Sequence, residues 1–249
     1  MLMSGPAGGV IGGKTEGLSC GSQNMITVDI GGTSADISTI PEGQIKIMNP
    51  RDSYVSGHPI LIPMIDLVTI GAGGGSIAHV DSAGGFHVGP RSAGADPGPA
   101  CYGRGGEEPT VTDAQVVLGR LDADKMLGGD LLLDPDLARR AIESKIAKRL
   151  NISVTDAALG IIKVINSNMA LAIRSNSVAR GVDPREYSLM PFGGAGPLHG
   201  VALAESVSAK NVIVPVAPGI TAAMGLLQTD MQYEHARSLI ASLSKVTSD

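Results

Sequence analysis

The spacing of apolar and polar positions changes period several times along the chain, and each change predicts an element. Short runs of β-branched residues at 26–30, 35–40 and 44–48 predict strands. With a turn at Pro41-Glu42-Gly43, they read as an antiparallel meander over residues 26–48. From Asp134-Pro135 the period becomes helical. Asp134 supplies a cap, Pro135 fits the first turn, and Leu137, Ala141, Ile142, Ile146 and Leu150 recur on one face. A second stripe, Ala158, Ile162, Ile165, Met169, Ala172 and Ile173, predicts a long helix from 155 to about 179 that ends at Gly181 and packs centrally. Its polar residues Asn166, Asn168, Arg174 and Asn176 either face a neighbouring helix or solvent, or reach a ligand. Beyond Asp183-Pro184 the order is a strand at 187–192, a glycine turn at 193–196, a helix at 198–207, a strand at 211–214 and a helix from about 221.

The 34 glycines are clustered, at 5–13, 31–32, 71–75, 84–85, 103–106 and 193–200. Each cluster is expected where the backbone turns tightly or approaches something closely. Residues 60–114 are rich in Gly and Pro with few periodic runs, so an irregular, ligand-facing region with short strands is expected there. Within it, residues 71–76 read as an anion-binding nest or as a flexible connection. Apolar runs at 67–70 and 77–80 flank the segment and would anchor both ends, which favours a tight loop near a cleft.

The densest chemistry lies at residues 28–38, where an apolar strand runs into Gly31-Gly32, the hydroxyls of Thr33 and Ser34, and two carboxylates, Asp29 and Asp36. Paired glycines let consecutive N–H groups approach anionic oxygens, and Asp29 at the strand end can order a hydrated Mg²⁺ beside a phosphate. The alternative is an ordinary Gly-Gly hairpin turn. The later strand, glycine turn and helix form a nucleotide-site geometry with the helix N-terminus aimed at the ligand. Gly193-Gly194-Ala195-Gly196-Pro197 lacks the spacing of the dinucleotide fingerprint and has no Walker lysine.

Composition narrows the partners. The 249 residues are 43% hydrophobic and 17% charged, enough for a substantial core in a globular α/β protein. A net charge of -5 and the absence of Trp argue against nucleic acid, whereas backbone amides can still hold a small nucleotide. Cys20 and Cys101 are too few for a disulfide framework, so a reducing, cytoplasmic location is expected. Cys101 reads as a small buried thiol rather than a nucleophile. No apolar run reaches the length of a membrane span and no membrane partner is expected.

Six motifs in order carry a family resemblance. They are Ser4-Gly5-Pro6-Ala7-Gly8-Gly9, the run from Asp29 to Asp36, Ile70-Gly71-Ala72-Gly73-Gly74-Gly75-Ser76-Ile77, the stretch from Gly89-Pro90-Arg91 through Asp96-Pro97-Gly98-Pro99-Ala100-Cys101-Tyr102-Gly103, Thr110-Val111-Thr112-Asp113-Ala114, and Phe192-Gly193-Gly194-Ala195-Gly196-Pro197-Leu198-His199. Together they resemble the hydantoinase A/oxoprolinase family across nearly the whole chain. The resemblance implies an RNase H-like lobe of the actin-like/sugar-kinase ATPase fold, a mixed sheet flanked by helices with a Gly-rich insert. It implies that Gly31, Gly32, Thr33 and Ser34 form the phosphate hairpin of the second lobe, and that Gly193, Gly194 and Gly196 form the adenosine turn of the 134–249 region. ATP with Mg²⁺ or Mn²⁺, a small cyclic amide such as a hydantoin or 5-oxoproline, and a second, hydantoinase B-type subunit are the implied ligands and partner.

Family members also carry an Asp-x-Gly-Gly-Thr hairpin in a first lobe, and this sequence has no second copy. The expectation is therefore a chain holding one half of the phosphate clamp, with apolar cleft surface that favours association, including with further copies of itself. A ketone carboxylase subunit and a non-catalytic nucleotide-binding module are the alternatives. Asp29 and Asp36 are the expected catalytic carboxylates. For the metal, Asp29 is joined by Asp66, Asp113 and His199; Asp113 reads more readily as a helix cap, and His199 equally as a satisfied histidine in the first turn of a helix. His79 belongs to the same second tier, and Arg91 and Arg104 are candidates for holding a substrate carboxylate.

Overall fold

The computed structural model describes residues 4–48, 54–55, 58–60, 64–124 and 131–229. Its centre is a five-stranded mixed sheet. Strand β1 (Met25–Ile30) pairs antiparallel with β2 (Ala35–Ile40), which pairs antiparallel with β3 (Leu67–Ile70). On its other side β1 runs parallel to β6 (Ser188–Phe192), and β6 runs parallel to β7 (Asn211–Val212). The spatial order is β7-β6-β1-β2-β3. Between β3 and β6 in sequence lie a hairpin of β4 (Ser76–Val80) and β5 (Phe86–Ser92), and helices α2 (Val111–Val117), α3 (Pro135–Ile142) and α4 (Val154–Ala179). Helix α5 (Gly196–Val207) follows β6, and α6 (Thr221–Leu227) follows β7. This is the mixed sheet flanked by helices that the family resemblance implies.

Alternation along β1 divides the core. Ile26, Val28 and Ile30 face the side covered by α4, where Ile161, Ile165, Met169 and Ile173 are fully buried. Met25 faces the other side with Val10, Met190 and Phe192. The predicted cap at Asp134 is present, its carboxylate accepting from the N–H groups of Asp136 and Leu137. Helix α3 then continues through a π turn at Glu143–Ala147.

One expectation is corrected, and three are sharpened. The third strand of the central sheet is β3 and not residues 44–48, of which only Ile47–Met48 is extended, pairing with Met64–Ile65 in a separate two-stranded sheet. Glu42 adopts φ 52° in the turn after β2, which redirects the chain off the sheet. The Gly-rich region after residue 60 supplies that edge strand and the hairpin and ends in a regular helix, α2, capped by Thr110.

The first glycine cluster takes the second of its two expected forms, close approach. It is helix α1 (Ser4–Ser19), whose glycines serve close approach rather than turning. A Cβ on Gly8 would lie 2.5 Å from the Ala222 carbonyl oxygen, and one on Gly12 2.5 Å from that of Thr221, so α1 and α6 cross backbone to backbone. Lastly, α4 has the length and apolar character to cross a membrane, and half of its most apolar window is buried inside the fold. It is the core helix of this sheet.

Candidate functional site

β1 and β6 are parallel neighbours, so the turns after Ile30 and Phe192 emerge at the same edge of the sheet. The first holds Gly31, Gly32, Thr33 and Ser34; the second holds Gly193, Gly194 and Gly196. A bond of 2.9 Å from the Ala195 N–H to the Ile30 carbonyl locks them together. Gly193 takes a positive φ of 83°, and any Cβ there would overlap Asp29 Oδ1. Only glycine allows both that turn and that carboxylate.

The hairpin is pinned from behind. The Gly74 N–H donates to the Gly31 carbonyl at 3.0 Å and the Gly75 N–H to the Gly32 carbonyl at 2.6 Å. A Cβ on Gly73 would lie 2.8 Å from both of those oxygens. The segment expected as a tight loop near the cleft is thus the clamp that orients the hairpin. Because the C=O and N–H of a peptide plane point in opposite directions, tying these carbonyls back turns the following N–H groups outward. The Gly31 N–H closes on the Ser34 carbonyl at 3.0 Å, while those of Gly32, Thr33 and Ser34 have no acceptor among the described residues. Three adjacent free donors at a glycine turn suit an anion.

Asp29 and Asp36 stand directly opposite each other in the β1–β2 register. Burial, and then the Asp36 charge, raise Asp29 to about 6. Asp36 accepts from the Thr69 hydroxyl. Among the described residues there is no group of three or more metal-ligating side chains. Two cross-strand carboxylates with an unrelieved charge conflict, beside free N–H donors, fit a cation that keeps water and phosphate ligands, as Mg²⁺ does, rather than one caged by protein.

The other nominated residues separate. Asp66 lies beyond the opposite end of β3 and is ion-paired with Arg180, whose Nε donates at 2.7 Å. Asp113 is fully buried and completes a capping box, accepting from the Thr110 N–H and hydroxyl, each at 2.8 Å, and from the N–H groups of Ala100 and Cys101. Its oxygens are occupied by the protein. His79 stacks on His87 in the β4–β5 hairpin, Arg91 pairs with exposed Glu108, and Arg104 lies over the Tyr102 ring. Burial pushes the Cys101 thiol far up, which leaves it protonated and inert.

His199 does lie at the same edge, on the α4 face of the sheet. It is 1% exposed, and burial, with Arg120 second, lowers it to about 4. Its Nδ1 is 2.6 Å from Asn166 Oδ1 on α4, so the neutral ring donates there and keeps Nε2 as an acceptor. His199 lines a pocket of about 220 Å³ together with Gly31, Gly32, Gly194, Tyr102 and Gln115. Sequence reasoning missed Ser92, whose hydroxyl lies 3.3 Å from that of Thr33, and Thr112, whose hydroxyl donates to the Gly74 carbonyl at 2.8 Å. It also missed Gln115. The motifs at 89–103 and 110–114 were the signals that pointed to this neighbourhood.

The sequence profile described as hydantoinase/oxoprolinase matches residues 1–235. The chain is 46% identical over 238 residues to caprolactamase subunit alpha of Pseudomonas jessenii, covering 96% of this chain and 34% of that protein. It is 38% identical over 248 residues to 5-oxoprolinase of Saccharomyces cerevisiae, covering 94% of this chain and 19% of that one. Among solved structures, nucleotide-free acetone carboxylase superposes with a TM-score of 0.85 at 35% identity over 94% of this chain and 33% of its own. The chain therefore spans about a third or less of the length of these relatives.

Proposed function

The chain belongs to the hydantoinase/oxoprolinase family, and on that premise we propose that it supplies one face of the ATP site of an ATP-dependent cyclic amide hydrolase. The pinned hairpin beside the Asp29–Asp36 pair carries the reading. In it, the N–H groups of Gly32, Thr33 and Ser34 hold the terminal phosphates, and the turn of Gly193, Gly194 and Gly196 receives the adenosine end. Asp29 and Asp36 hold the water shell of Mg²⁺ or Mn²⁺, which supplies charge neutralisation on the phosphates when bound.

The chemistry follows from the amide. Resonance makes a ring carbonyl a poor electrophile, and phosphorylation of its oxygen by ATP gives an imidate whose carbon water can attack. The C–N bond then breaks with the nitrogen leaving as an amine, and a second water releases phosphate from the acyl phosphate that remains. The protein's share of such a step is positioning and charge stabilisation, the roles that fixed backbone donors perform well. Relatives named as hydrolases of caprolactam and 5-oxoproline support this reading. Likeness to acetone carboxylase supports a second one, in which the same phosphoryl transfer activates a ketone enolate or bicarbonate. A hydantoinase B-type subunit completes the enzyme in either case, and the cytoplasm is its place of action.

The test is Asp29→Asn in the protein purified with its partner subunits. Substrate-stimulated ATP hydrolysis is expected to fall by at least about 100-fold, the scale of losing a main electrostatic contributor. Full activity would contradict the role assigned to Asp29 at the metal and phosphate site.

A further inference from the structure

The edge that carries the hairpin has two chemically different sides. Asp29 and Asp36 lie toward the α1 face, where a Cβ on Gly9 would come 3.4 Å from Asp29 Oδ2. The pocket of about 220 Å³ lies toward the α4 face, and no ionised side chain lines it. Val111, Leu121, Leu198 and Tyr102 give it apolar walls, and His199 is neutral at physiological pH. At its wall sits Gln115, only 1% exposed, with neither Nε2 nor Oε1 hydrogen-bonded among the described residues. Buried carboxamides are rarely left with both ends unpaired, because each orphaned group carries a desolvation penalty. Gln115 thus lines, with an unpartnered carboxamide, a space that a ligand can fill.

A nucleotide has one highly charged end and one flat, neutral end, and this edge presents a matching pair of environments. We infer that the pocket receives the adenine ring and that Gln115 is the residue that reads it, donating from Nε2 to a ring nitrogen and accepting the N6 amine hydrogen at Oε1. A glutamine pairs in this bidentate way with the N6/N7 edge of adenine. The inference rests on the proposed ATP site and adds a base-reading residue to it.

The experiment measures dissociation constants for ATP and for purine riboside triphosphate, which lacks the N6 amine, on the protein purified with its partner subunits. The wild type is expected to prefer ATP by about tenfold or more, the scale of one bidentate base contact. Gln115→Leu is expected to bind both nucleotides alike, and to melt no lower than the wild type without nucleotide, since two unpaired buried atoms are removed. An unchanged ATP preference in Gln115→Leu overturns the inference, as does a variant that weakens binding of ε-caprolactam and leaves ATP untouched. If the variant does not fold, the wild type alone decides: equal affinity for the two nucleotides overturns it. A wild type that binds neither nucleotide refutes the ATP site itself, a result distinct from loss of base reading.

Discussion

Asp29 is forced to ionise in a setting that resists it, half-buried and directly across the sheet from a second carboxylate that shares its charge. Its pKa is raised from 3.8 to about 6, so the folded state binds a proton more tightly than the unfolded chain does. The sign follows: the penalty is absent below the unfolded value near 3.8, grows between there and about 6, and is fully present at neutral pH. Asp29→Asn removes it. That variant is expected to melt roughly 2–4 °C above the wild type at pH 7, for about 1 kcal/mol after allowance for partial exposure, with the gap closing toward pH 4 in thermal denaturation. A carboxylate kept against stability marks a functional position. Asp29, Gly31 and Gly32 were legible in sequence because a strand, two glycines and a carboxylate are adjacent in the chain. Gln115 and Ser92 were not, since only the folded chain brings them to residues about sixty to eighty positions away.

Helices α1 and α6 were half legible. Glycines at 8, 12 and 225 signal close approach, and that is what they do. The missing information was the partner, since α6 lies about 200 residues downstream. A glycine-rich segment without its partner reads as a loop by local propensity alone, and tertiary packing of α6 overrides that propensity. The contact is unforgiving: a Cβ on Gly225 would overlap the Gly8 carbonyl. Gly225→Ala is expected to destabilise by about 2–3 kcal/mol, the cost of overpacking a close backbone contact, read as a lower urea midpoint with unchanged m-value. Helix α4 shows the opposite case. Its apolar stripe, its start near Ser153 and its end before Gly181 follow from local signals, and its polar Asn166 and Asn168 reach His199 on α5 and the Val88 carbonyl of β5.

At the scale of the molecule, the chain presents one edge of a sheet with oriented N–H donors, paired carboxylates and a neutral pocket, and it spans about a third of relatives such as caprolactamase subunit alpha. Exposed Val216, Leu226 and Leu227 add apolar surface near the α1–α6 crossing. The sheet order was legible only through family resemblance, because pairing of β1 with β6 depends on segments about 160 residues apart. The most direct test of the central claim is calorimetric titration of ATP·Mg²⁺ into wild-type and Gly32→Ala protein, each purified with its partner subunits. Among the described residues, and apart from its two chain neighbours, no atom lies within 4 Å of a Cβ at Gly32, so the methyl is expected to disturb what approaches the hairpin from outside. The expected result is an unchanged melting temperature with at least about tenfold weaker ATP binding. Equal affinity in the two proteins would contradict the assignment of this hairpin as a phosphate cradle.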